Sequence, residues 1–146
     1  MHTRTLVQAI LLFVVSAAIP AVVFAGPAQK ATTHFKAIAA GHVGQIMRGD
    51  APKARFHWVG GSLDGAYAGK AAIRRVWTKF AKANTPLKVN IARREVSANP
   101  KGATVTANVV FQGKSANKVR YVLLYRDGRI VNDVWQIDPK LAMKAD

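Results

Sequence analysis

From Leu87 onward the sequence shows no helical periodicity; apolar and polar residues alternate in successive stretches separated only by turns. Leu87, Val89 and Ile91 begin the pattern, and Val96 resumes it after Arg93-Arg94-Glu95, where one inserted residue would make a bulge. The turn Asn99-Pro100-Lys101-Gly102 leads into Val105, Ala107, Val109 and Phe111. After Gln112-Gly113-Lys114 a further strand covers Lys118 to Tyr125, and Asp127-Gly128 turns it into a last strand, Arg129 to Ile137, stopped by Asp138-Pro139. Strands that follow one another without intervening helices exclude a doubly wound parallel sheet and predict an antiparallel meander.

The helices come first. Phe35, Ile38, Ala39, Val43, Ile46 and Met47 lie at helical spacing, interrupted by Gly41. This predicts a helix from about Thr33 to Ala40, with Thr32 or Thr33 as cap, and a short one from His42 to Met47. Arg48-Gly49-Asp50-Ala51-Pro52 reads as a turn into a strand, Ala54 to Val59, with Phe56 and Trp58 on one face and Arg55 and His57 on the other. Past the Gly-rich loop Gly60 to Gly65, Ile73, Val76, Trp77, Phe80 and Ala81 mark an amphipathic helix from Gly69 to about Lys82. The fold class is α+β, with two or three N-terminal helices packed on one curved antiparallel sheet.

Ahead of this pattern, Arg4 and the apolar run Leu6 to Ile19 read as an export signal, with Pro20 and Val23-Phe24-Ala25 suiting cleavage before Gly26. An uncleaved anchor is the other reading of Leu6 to Ala25. Residues 26–146 then form one domain, periplasmic or secreted. With no cysteine in the chain, core packing must hold it together.

Three features together resemble the NTF2-like superfamily, and within it the SnoaL-like members. They are the order of helix, Gly break, short helix and strand; the segment Leu63-Asp64-Gly65-Ala66-Tyr67-Ala68-Gly69-Lys70-Ala71-Ala72-Ile73; and the closing Tyr125-Arg126-Asp127-Gly128-Arg129-Ile130-Val131 to Trp135. The resemblance spans nearly all of residues 26–146. It implies a curved sheet wrapped around the long helix, an apolar pocket at the wide end of the cone, and dimerisation through the outer sheet face. The superfamily hosts isomerases, cyclases, dehydratases and binding proteins, so it narrows the activity little.

Alternation nominates the residues facing such a pocket: Phe56 and Trp58; Val119, Tyr121, Leu123 and Tyr125; Val131, Asp133, Trp135 and Ile137. Trp58, Tyr121, Trp135, Phe56, Leu123 and Ile137 are the ligand-binding candidates. Asp133 is a carboxyl between apolar neighbours, where desolvation suits it to proton transfer, and His34 on the first helix is its candidate partner. Compared with the ketosteroid isomerase branch, motif spacing puts His34, Trp58 and Tyr121 where that branch carries its Tyr, its Asp base and its second acid. With Trp in place of the base, isomerase chemistry does not carry over, and Trp58 adds stacking surface instead.

No metal site is expected, since His34, His42 and His57 lack ligand partners at suitable spacing. No phosphate loop, nucleophile elbow or cofactor motif is present in the sequence. The net charge of +15 is spread over Lys70, Arg74, Arg75, Lys79 and Lys82 on a helix face and over the strands and turns, while aromatics fall on inward faces. That arrangement does not suit nucleic acid, which calls for a basic groove interleaved with aromatics. Three functions remain: an exported domain binding a small apolar or aromatic molecule; a cyclase, isomerase or dehydratase using Asp133 and His34; and an envelope module attracted to polyanions.

Overall fold

The computed structural model describes residues 18–20 and 24–144. The expected signal segment, residues 1–25, lies mostly outside these residues. Among the described residues no helix is long and apolar enough to cross a membrane.

Helix α1 runs Pro27–Ala40, starting at Pro27 rather than Thr33. Proline suits a first helical position, where its missing N–H would have no partner and its fixed φ already matches the helix. Gly41, at φ 73°, ends α1 in the left-handed conformation, and an added Cβ there would collide with the Thr85 side chain. Helix α2 (Val43–Arg48) follows, then β1 (Asp50–Val59), β2 (Gly65–Ala68) and α3 (Lys70–Asn84). The meander is β3 (Lys88–Asn99), β4 (Gly102–Gln112), β5 (Ala116–Arg126) and β6 (Arg129–Ile137).

The six strands form one curved sheet in the order β2-β1-β6-β5-β4-β3. The meander β3 to β6 is antiparallel as expected, but the sheet is mixed, because β1 lies parallel to β6. The Gly-rich loop is the turn of an unexpected hairpin: β2 returns along β1, and the Gly60 N–H donates to Asp64 Oδ1 at 2.6 Å. On β3 the register shifts between Ala92 and Glu95, and Arg93 takes φ 46°, so the expected bulge is present.

A second irregularity corrects the inward face of β6. Leu124 pairs with Asn132 and Tyr125 with Ile130, leaving Val131 as the extra residue. Ile130 is therefore the buried one and Val131 only half-buried. Beyond the bulge, Asp133 and Trp135 point inward as expected.

Cross-strand pairing stacks the concave face in rows: Tyr125, Ile130 and Asp50; then Leu123, Asp133 and Phe56; then Tyr121, Trp135 and Trp58. Phe35 and Ile38 of α1 and Ile73, Val76, Trp77 and Phe80 of α3 cover these rows. On the convex face, Asn108 Nδ2 donates to the Ala142 carbonyl at 2.6 Å and Arg120 Nη1 to Asn108 Oδ1 at 2.8 Å, which ties the C-terminal segment across β4 and β5.

Candidate functional site

The third row is filled by aromatic rings. Trp58 and Trp135 stack at 4.5 Å between centroids, Phe111 and Trp135 at 4.9 Å, and Phe56 and Trp77 at 4.9 Å. Phe56, Trp58, Tyr121, Leu123 and Trp135 are all buried, Ile137 is half-buried, and none of the six lines any of five cavities found on the described residues. Large flat side chains on neighbouring strands find their best contacts in each other.

Polar side chains meet at the neighbouring end of the cone. Because α1 starts at Pro27, His34 lies two turns into the helix on the inward face with Ala31, Phe35 and Ile38, and is only 5 % exposed. Its Nε2 lies 3.3 Å from Asp133 Oδ2 and 3.2 Å from the Tyr121 hydroxyl. That hydroxyl donates to Asp133 Oδ2 at 3.1 Å. Tyr121 and Asp133 are diagonal neighbours across β5 and β6, so the pairing of the two strands fixes this contact. The structure thus joins three residues singled out from the sequence.

One tautomer of His34 satisfies both contacts. With the Tyr121 hydroxyl donating to Asp133 and the proton of a neutral His34 on Nε2, that Nε2–H is the donor to both oxygens, and Nδ1 is left without a hydrogen-bond partner among the described residues. Burial raises the Asp133 carboxyl above its ordinary range, while the hydrogen bonds from His34 and Tyr121 pull it back down. Burial, reinforced by Asp133, holds the Tyr121 phenol well above its usual value, so it stays protonated and keeps donating. Tyr121→Phe removes this donor and leaves Asp133 less satisfied; urea unfolding should record a loss of about 1–3 kcal/mol.

Asp50 escaped the sequence reading because Gly49 and Pro52 gave its segment the look of a turn. The strand begins at Asp50, whose side chain is 2 % exposed and makes no hydrogen bond among the described residues. Burial pushes its carboxyl up to about 7, with His34 opposing, Asp133 adding and Lys70 opposing. Tyr125, in the same row, has a buried hydroxyl without a partner and a phenol raised first by burial and then by Asp133 and Asp50. Near the buried His34, the Tyr125 hydroxyl and Asp133 Oδ1 are buried without a hydrogen-bond partner among the described residues, as are the indole nitrogens of Trp58, Trp77 and Trp135.

A cavity of about 380 Å³ opens beside this cluster, lined chiefly by Lys30, His34, Arg48, Tyr125 and Ile130. It lies between α1, α2 and the β5–β6 turn, against the first row of the concave face. Among the described residues no group of three or more His, Cys, Asp or Glu stands together to hold a metal ion.

No family model matches the sequence, and no curated protein matches it. Solved structures match in shape. An NTF2-like protein of unknown function from Pseudomonas putida KT2440 gives a TM-score of 0.65 over 81 % of this chain and 89 % of its own, at 18 % identity. A candidate dehydratase of the NTF2-like family from Streptomyces avermitilis gives 0.63 over 75 % and 92 %, at 13 % identity. A candidate polyketide cyclase from Sinorhizobium meliloti gives 0.51 over 73 % and 93 %, at 22 % identity. Identities this low speak for the backbone path, and the path is common to proteins of different chemistry. With its curved six-stranded sheet, three helices and a buried polar cluster at one end, the chain has the NTF2-like fold.

Proposed function

We propose that the chain is an exported SnoaL-like domain that binds a small molecule in the cavity beside His34. The observation that carries the reading is the imidazole itself: Nε2 is tied to Asp133 and Tyr121, and the unpaired Nδ1 belongs to a residue lining the cavity. A ligand there meets one oriented nitrogen, the Tyr125 ring and Ile130. The aromatic group of Phe56, Trp58, Tyr121 and Trp135, with Leu123 and Ile137, serves as the rigid wall behind the site.

A second reading rests on the same imidazole. If Nε2–H stays on Asp133, Nδ1 is a lone-pair acceptor able to take a proton from a bound molecule, which is the arrangement an acid-base enzyme of the cyclase, isomerase or dehydratase kind requires. A third gives the cationic face of α3 the main role, on anionic envelope surfaces. Among the described residues, Lys70, Arg74, Arg75, Lys79 and Lys82 form no ion pair within salt-bridge distance.

Native mass spectrometry of protein from the exported fraction separates these readings. A small-molecule adduct that disappears in His34→Ala is the expected result. An adduct whose mass changes with time, but not in Asp133→Asn, turns the reading to catalysis. Protein that carries no adduct and takes none from a panel of ligands overturns both.

A further inference from the structure

The cavity beside His34 presents a one-sided set of polar groups. Its walls carry two cations, Lys30 and Arg48, and no carboxylate. Lys30 Nζ donates once, to the Gly128 carbonyl at 3.0 Å, which leaves two of its N–H bonds unused. Arg48 makes no hydrogen bond or ion pair among the described residues. Thr33 and Gln45 add a hydroxyl and an amide to the same wall.

Deeper in, the Tyr125 hydroxyl is buried without a partner, and Tyr125 lines both this cavity and an adjoining one of about 280 Å³. Lys30 and Gly128 belong to both walls as well, so their contact forms the ridge between the two hollows. Donors therefore outnumber acceptors in the cavity beside His34, whereas the adjoining hollow carries the Asp127 carboxylate on its wall and does not share the preference. A neutral ligand rich in hydroxyls would leave several of them unmatched, and an amine would add charge to charge. A group offering only lone pairs, with negative charge, answers the Lys30 and Arg48 donors and leaves the His34 Nδ1 lone pair as the one polar atom it does not match.

The acids behind the cavity do not cancel this preference. Asp133 shares its charge with His34 and Tyr121 through two hydrogen bonds, and Asp50, with its carboxyl raised to about 7, carries a full charge only above neutrality. The remaining side chains of the wall within residues 26–146, Ile130 and the ring of Tyr125, are apolar.

Resting on the binding role given above, we propose that the ligand is a small organic carboxylate, its head group shared by Lys30, Arg48 and the Tyr125 hydroxyl and its apolar body against Ile130. Three fragments of one size and different charge test this on the full chain by calorimetric or NMR titration: benzoate, benzyl alcohol and benzylamine. Benzoate should bind at least about tenfold tighter than the alcohol, a gap of about 1.4 kcal/mol, and benzylamine weakest of the three. Lys30→Met and Arg48→Met should each erase most of that preference, and added salt should weaken benzoate alone. Equal binding of benzoate and benzyl alcohol, or a preference that survives both substitutions, overturns the carboxylate while leaving a ligand-binding cavity. Failure of all three fragments to bind overturns the cavity reading with it.

Discussion

Asp50→Asn should make the protein more stable at pH 8 by up to about 4 kcal/mol and change it little near pH 4. The sign follows from the two pKa values. In the unfolded chain the Asp50 carboxyl titrates at the model value of 3.8, and in the native state at about 7. Between those limits the native state holds the extra proton, so stability falls as pH rises through the window. Above about 7 the full cost of an unpartnered buried charge is present. Asparagine occupies nearly the same volume and never ionises, so it removes that part of the slope. Asp133, raised by burial in the same direction, keeps its share in both proteins, and the general charge repulsion at low pH cancels in the comparison. Urea midpoints measured for both proteins across this range check it; parallel curves would mean that Asp50 does not titrate in that window. A natural chain that retains so costly a group beside His34 is trading stability for something at that end of the cone.

Trp135→Ala should cost about 3–5 kcal/mol, the range for deleting a fully buried aromatic, and so remove a large part of the stability of a domain this size. Trp135 is 0 % exposed, stacks between Trp58 and Phe111, and meets Trp77, Phe80 and Tyr121 edge-on at 5.4 to 5.9 Å. No neighbour can shift to fill the gap without losing its own stacking, because each ring is also held by another strand or helix. Denaturant unfolding with an unchanged slope and a lower midpoint is the expected record. Trp135→Phe should cost less, since a smaller ring still fills part of the space. A loss below about 1 kcal/mol for the alanine variant would mean that the core repacks freely, contrary to close packing.

These two residues also mark where the sequence was and was not legible. Trp135 reads correctly because β5 and β6 alternate strictly on both sides of it, and a period of two needs only neighbours to be recognised. Val131 misleads, because a bulge shifts the phase by one residue and nothing local announces it. Asp50 had only a broken signal: Asp50, Ala54, Phe56 and Trp58 occupy even positions and are buried, but Pro52 between them is exposed and the register of β1 against β6 shifts between Asp50 and Arg55. Pro52 hid the pattern by its turn-like character, although proline is tolerated near the start of a strand. His34 was placed near a helix start, whereas its spacing to Ala31 and Ile38 is that of an inward face. The packing of the tryptophans on each other, rather than around a hollow, depends on ring orientations set by α1 and α3, and no spacing along the chain encodes that.

Joining β1 to β6 in parallel also orders events during biogenesis. The inner neighbour of Phe56 and Trp58 is a segment more than half the chain away, so the first hairpin must wait with a bare hydrogen-bonding edge and two exposed rings until the final strand arrives. A chain crossing a translocation channel N-terminus first would remain vulnerable to self-association until β6 had emerged, since only then can β1 be covered and the sheet close.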